Sequence, residues 1–305
     1  MVKITANYFD REKNIYKGNI EEFDIVDFSD IFENYVKKYI KENNIDAEED
    51  ENFEDTVSDL YLDWLETYND KLECKPNEYF KPFNDSQLIQ VLVKYVMSHV
   101  KLPDPLIEEI VLRKENTANL IIKILEYEDN SHFSIDIKLT VMNILGEMQY
   151  PLPLKQYISF IDKGDNEDHL SQMAYEIIDE QIEQKDWHVI IEAYDKAPSK
   201  YAKNTYLDIL ARFYGDDQAY ERLINAFISN IDSDGVAFYA ACIAKFGDER
   251  AVPILENAIK ENDYDYLNFT AIKYAIEQLG DEINIDKIFD GDAAYELLKN
   301  TRDED

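Results

Sequence analysis

Basic residues are scarce in this chain. Against 65 Asp and Glu stand 31 Lys and Arg, a formal net charge of −34. A field of that sign repels nucleic-acid phosphates and anionic membrane surfaces and attracts basic proteins. Glycine and proline are sparse too, eight of each in 305 residues. That scarcity favours long helices with short turns over a many-turned β-sandwich. The two cysteines, Cys74 and Cys242, belong to no metal or redox motif, so two reduced thiols in a cytoplasmic protein are expected. No run approaches the ~20 apolar residues that span a bilayer, and "MVKITANYFDREKNIYK" lacks the apolar core of a secretory signal. The four histidines, His99, His132, His169 and His188, have no partner at metal-ligand spacing. His-Glu-x-x-His, Cys-x-x-Cys, Gly-x-Ser-x-Gly and a phosphate-cradling glycine loop are all missing. No cofactor, no metal and no catalytic activity are expected.

What the chain does have is a hydrophobic share of 45%, enough for a large core, and a recurring Gly-Asp pair. From Gly215 to Gly247 is 32 residues and from Gly247 to Gly280 is 33; Gly146 lies 69 residues before Gly215, with Ile178-Asp179 near the midpoint. A period of this size marks stacked supersecondary units. In "FGDERAVPILENAIK" the spacing puts Val252, Leu255, Ala258 and Ile259 on one helical face. Asp248 is placed to cap that helix, and Pro253 sits in the first turn, where its missing N–H costs nothing. In "YLNFTAIKYAIEQL" the predicted stripe is Leu267, Ala271, Tyr274, Ala275 and Leu279, with Gly280 just past the end in a left-handed position. The pair is thus a stop followed by a start. The alanines of "GVAFYAACIAKFGD" (Ala237, Ala240, Ala241, Ala244) allow close helix packing.

The segments "GDERAVPILENAIKEND" and "TAIKYAIEQLGDE" resemble the short HEAT-like repeat, a class also found in phycobilisome-lyase proteins and in helical-repeat DNA glycosylases. The likeness is strongest over 216–282, weaker over 117–215 and absent before about 85. Such repeats often open their second helix on a basic residue; here the openings are Leu267-Asn268 and Val236-Ala237. The resemblance implies an all-α fold, an α-solenoid of HEAT-like helix pairs with a divergent helical N-terminal extension. The expected organisation is 1–85 acidic extension, 86–300 solenoid and 301–305 acidic tail.

Before the repeats, "DFSDIFENYVKKYI" reads as a helix capped at Ser29 or Asp30, and "TVSDLYLDWLETYN" as a second one. "DSQLIQVLVKYVMSHV" and "PDPLIEEIVLRKEN" follow, with Asp104 placed to cap the latter. Between Lys41 and Lys71 there are twelve acids and no Lys or Arg. The run "ENNIDAEEDENFED" reads as a solvated loop or helix end. Its neighbourhood is also the candidate docking surface, formed by Asp50, Glu51, Asp55, Asp59, Tyr61, Trp64 and Tyr68: acids for charge, aromatics for apolar contact. Trp64 equally fits the core, on one stripe with Leu60 and Tyr68. "NIDSDGVAFYAA" resembles the opening of a calcium loop, but Ala241 stands where the bidentate Glu belongs, so a turn at Asp234-Gly235 is expected. "DKGDNEDH" likewise reads as a turn.

The expected function is non-catalytic binding. The chain would be a scaffold, or a bacterial inhibitor or immunity-type protein, presenting an acidic helical surface to a basic protein or basic segment, with no nucleic-acid and no membrane partner. The alternative is a helical-repeat enzyme of the DNA glycosylase type. The net charge opposes it, and the densest basic spots, "VLRKEN" (111–116) and "SKYAK" (199–203), are short. Self-association is a further expectation, since 22 tyrosines and 15 phenylalanines exceed what a core obviously absorbs.

Overall fold

The computed structural model describes residues 25–45, 53–127, 132–285 and 287–302. Among them are fifteen α-helices and no β-strand, with one isolated bridge pairing Asn69 and Cys74. The all-α expectation holds. The chain forms two units, residues 1–156 and 157–305, each with its own core. No described helix is long and apolar enough to cross a membrane.

The first unit contains α1 (Phe28–Asn43), α2 (Phe53–Leu65), α3 (Asp85–Met97), α4 (Asp104–Leu112), α5 (Glu115–Leu125) and α6 (His132–Glu147). Its centre is α3, buried from Leu88 through Val93 and again at Tyr95. A helix covered nearly all round is interior, and α3 packs on α4, α5 and α6. A capping box starts it: Asn84 accepts from the Gln87 amide at 2.9 Å, and Gln87 returns the bond to the Asn84 amide at 2.9 Å. The Tyr95 hydroxyl donates to the Val26 carbonyl at 2.6 Å, and Arg113 reaches Asp85 at 2.9 Å, Glu109 at 2.8 Å and the Lys81 carbonyl at 3.1 Å.

Two expected caps move. Helix α1 is capped by Asp27, which accepts from the Asp30 amide at 3.1 Å; in "DFSD" the first of three competent residues takes the position, so that Phe28 and Ile31 can face the core. Helix α4 begins at Asp104 itself, with Pro103 in the cap position and no side-chain cap.

The division falls in the first turn of α7 (Leu154–Lys163), and the second unit contains the rest of it with α8 (His169–Gln181), α9 (Trp187–Lys196), α10 (Lys200–Leu210), α11 (Asp217–Ser229), α12 (Val236–Phe246), α13 (Val252–Glu261), α14 (Tyr266–Gln278) and α15 (Ala293–Arg302). Helices α9 and α10, α11 and α12, and α13 and α14 pack as pairs; α8 also packs on α10, α10 on α12 and α12 on α14. The glycine turns are as expected at three markers: Gly215 (φ +87°) precedes Asp216, which caps α11 by accepting from the Gln218 and Ala219 amides at 2.9 Å. Gly247 (φ +80°) and Gly280 (φ +89°) sit in left-handed positions after α12 and α14, and the Asp281 amide closes back on the Ile276 carbonyl at 3.3 Å. Asp248 caps the short 3-10 turn that leads into α13. Helix α12 has no cap of its own; buried Asn268, on α14, accepts from the Ala237 amide at 3.3 Å.

Upstream the ruler fails. Gly146 lies within α6, and the left-handed residue there is Gln149 (φ +49°); Ile178 and Asp179 lie within α8. The face of α13 is as predicted, with Val252, Leu255, Ala258 and Ile259 buried. That of α14 is rotated. Phe269, Ile272, Ala275, Ile276 and Leu279 are buried, while Leu267 and Tyr274 are 61% and 60% exposed. Helix α14 packs on both α12 and α13, so apolar residues surround most of it and two stripes fit the spacing equally.

Candidate functional site

In the first unit α1 and α2 lie against each other with the chain before α4 beside them. Phe32 and Val36 on α1, and Val57 and Tyr61 on α2, are (i, i+4) pairs that share their helix's facing side. With Leu102 they line an open groove of about 660 Å³. Glu33 and Asp104 supply its acids, and Lys101 its cation. Leu62, at its edge, is 64% exposed.

Tyr61 is the pivot. Its ring meets Phe32 edge-on at 5.0 Å between centroids, and its hydroxyl donates to Asp104 Oδ2 at 2.8 Å. Burial, then the bond to Asp104, raises its pKa well above the usual tyrosine value: the phenol stays neutral and points its proton at the carboxylate. Trp64 backs this wall from within. It is 1% exposed, with Phe32 at 5.2 Å, Tyr61 at 5.6 Å and Phe28 at 6.1 Å. Its indole Nε1 is buried with no hydrogen-bond partner among the described residues.

The outer side of α2 is uniformly acidic. Glu54, Asp55, Asp59 and Asp63 are exposed, the last turn holds no base, and none of the four pairs with a Lys or Arg among the described residues. Of the predicted site residues, Asp55 and Asp59 lie on this outer side, Tyr61 lines the groove and Trp64 is core. Tyr68, past the end of α2, is 62% exposed. Asp50 and Glu51 lie outside the described residues. The groove itself, from Phe32, Val36, Val57 and Leu102, was missed in sequence; the matching (i, i+4) apolar pairs on two adjacent helices were the available signal.

In the second unit a polar ladder ties three helices. Asp208 on α10 accepts from the Tyr175 hydroxyl on α8 at 2.5 Å and from Lys245 on α12 at 3.0 Å, and Lys245 also meets Asp179 on α8 at 3.5 Å. Residues 230–235 form the expected turn, and among the described residues no His, Cys, Asp and Glu group is arranged to hold a metal ion. No protein-family model, no curated protein and no solved structure matches the chain.

Proposed function

We propose that the chain is a non-catalytic binding protein of the cytoplasm, a scaffold or an inhibitor or immunity-type protein, whose acidic helical surface takes a basic protein partner. The observation that carries this reading is α2: four exposed carboxylates with no pairing cation among the described residues, beside an apolar groove lined by Tyr61. A basic amphipathic segment satisfies both parts, its apolar side chains entering the groove and its cations meeting the acids. The further part of the proposal is that the helix pairs form an α-solenoid of HEAT-like units. The left-handed glycines after α12 and α14, and the packing of α8, α10, α12 and α14 each on the next, support it.

The test compares partner capture by the wild type, by D55N/D59N/D63N and by Leu62→Ser. The charge variant should slow association by on the order of tenfold and flatten its salt dependence. Leu62→Ser, at an exposed position, should speed dissociation without altering the fold. Partners held equally by all three proteins, or insensitive to salt, would defeat the reading.

A further inference from the structure

The second unit carries a cavity of opposite character. About 660 Å³ in volume, it opens beside the α9–α10 turn and α11, and its walls hold Lys200, Lys203 and Arg222 against Asp195 and Glu221. This is a local reversal in a chain with twice as many acids as bases, and it contains the basic spot "SKYAK" that the proposed partner does not use. We infer that this cavity binds a small phosphorylated polyol, such as a sugar phosphate, independently of the groove in the first unit.

Arg222 is committed. It holds Asp195 in a two-point bond, at 3.0 and 2.6 Å, and donates to the Gln218 carbonyl at 3.1 Å. That pairing also removes Asp195 as a competitor for the lysines. Lys200 has no carboxylate within ion-pair distance among the described residues, and neither has Lys203, which sits 5.0 Å from the centroid of the Tyr194 ring. The Tyr239 hydroxyl donates to Asn204 Oδ1 at 3.2 Å, leaving the Asn204 Nδ2 protons as donors to the cavity. The first turn of α10, which begins at Lys200, opens there as well.

Two ammonium groups with no carboxylate partner among the described residues suit a phosphate, whose double charge and several oxygens can meet both at once. The one arginine fork here is occupied by Asp195, so the anion is held by lysines acting as point charges. The volume lies within the range of roughly 300–1,000 Å³ typical of small-molecule sites, so a bare ion underfills it. Acceptors face the same space. Asn230 gives its Nδ2 to the Ala226 carbonyl at 2.8 Å, which leaves its Oδ1 open, and Glu221 adds a carboxylate. Hydroxyl groups on the ligand match these acceptors.

Calorimetric titration of the full chain with ribose 5-phosphate, inorganic phosphate, ribose and citrate tests the assignment. Ribose 5-phosphate is expected to bind at one site per chain, more tightly than inorganic phosphate, with ribose silent. K200Q/K203Q, two substitutions at exposed positions, should weaken it tenfold or more, with the melting temperature read alongside to check the fold. Absence of saturable binding up to about 10 mM, tenfold above a millimolar dissociation constant, overturns the inference. So does equal binding by the double variant. Citrate matching ribose 5-phosphate would reassign the cavity to carboxylates, and inorganic phosphate matching it would remove the polyol; either result refutes the proposal as stated.

Discussion

Replacing Gly247 or Gly280 isolates the cost of one backbone conformation. Both residues hold positive φ, +80° and +89°. A Cβ added at Gly280 meets nothing within 4 Å, and at Gly247 the nearest atom is Tyr214 Cδ2 at 3.9 Å, an ordinary contact. Steric collision therefore contributes nothing, and the penalty is the left-handed conformation alone, about 1–2 kcal/mol for a residue with a Cβ. Alanine also stiffens the unfolded chain, which returns about 0.4–1 kcal/mol. The net expectation is a loss of about 1 kcal/mol for Gly247→Ala and the same for Gly280→Ala. Gly→Asn should cost less at each site, because asparagine tolerates this region better. Urea unfolding followed by circular dichroism reads the change as a lower midpoint at constant slope. If alanine proved neutral at both sites, or asparagine as costly as alanine, the left-handed positions would not be what closes α12 and α14.

Gly164 should behave differently. Its added Cβ would lie 2.4 Å from Ser171 Cβ and 2.9 Å from the Phe160 carbonyl oxygen, so Gly164→Ala and Gly164→Asn should both cost about 1–3 kcal/mol or more, with no sparing by asparagine in the same urea assay. In acid, Asp248 and Asp292 are among the groups that respond. Hydrogen bonds from Arg250 lower the first pKa, and backbone hydrogen bonds from the Tyr266, Tyr295 and Ala294 amides the second. A depressed native pKa means stability that is complete above the ordinary aspartate value of about 3.9 and lost as pH falls below it. Thermal melts should therefore decline below about pH 4, and Asp292→Asn should blunt that decline. In alkali the sign reverses. Burial raises the pKa of Tyr95, Tyr157 and Tyr206, so their contribution is complete below the ordinary value of about 10 and is lost above it. Ultraviolet titration should show these phenols ionising together with unfolding rather than before it.

Helix existence was legible in sequence because most of these helices have one buried side and a recognisable start. The face of α13 and the caps at Asp248, Gly247 and Gly280 follow from residues acting within one turn. The rest depends on neighbours. Helix α14 has a second apolar stripe through Leu267 and Tyr274, and only its two packing partners decide which stripe is buried. Gly146 carries the same glycine signal as Gly247, yet α6 runs through it, so a glycine marks a stop only where the chain also turns. Asp104 looked like a cap from its neighbours in sequence; the Tyr61 hydroxyl, 43 residues away, claims its carboxylate instead. The groove of the first unit and the cavity of the second both join residues from separate helices, a juxtaposition that spacing along one helix does not encode.

The acids of the chain differ in how fully structure accounts for them, and that difference bears on α2. Asp27, Asp168, Asp216, Asp248, Asp265 and Asp292 each accept a backbone amide at a helix or turn start, where the helix dipole favours a negative charge. Asp85, Asp179, Asp195 and Asp208 pair with cations. Among the described residues, Asp59 and Asp63 do neither. Asp63 lies in the last turn of α2, where the dipole opposes it, at a cost of about 0.3–1 kcal/mol for an exposed charge, and both add to the self-repulsion of a chain at −34. If these carboxylates serve binding rather than folding, D59N/D63N should leave stability unchanged or raise it by a few tenths of a kcal/mol, since Asp and Asn have similar helix propensities. The gain should shrink as salt screens the repulsion. Asp55→Asn, in the first turn, should cost a comparable few tenths. Urea unfolding at low and high salt measures all three. A loss above about 0.5 kcal/mol for D59N/D63N, beyond the usual range of surface substitutions, would make these acids structural and remove the main support for a basic partner at α2.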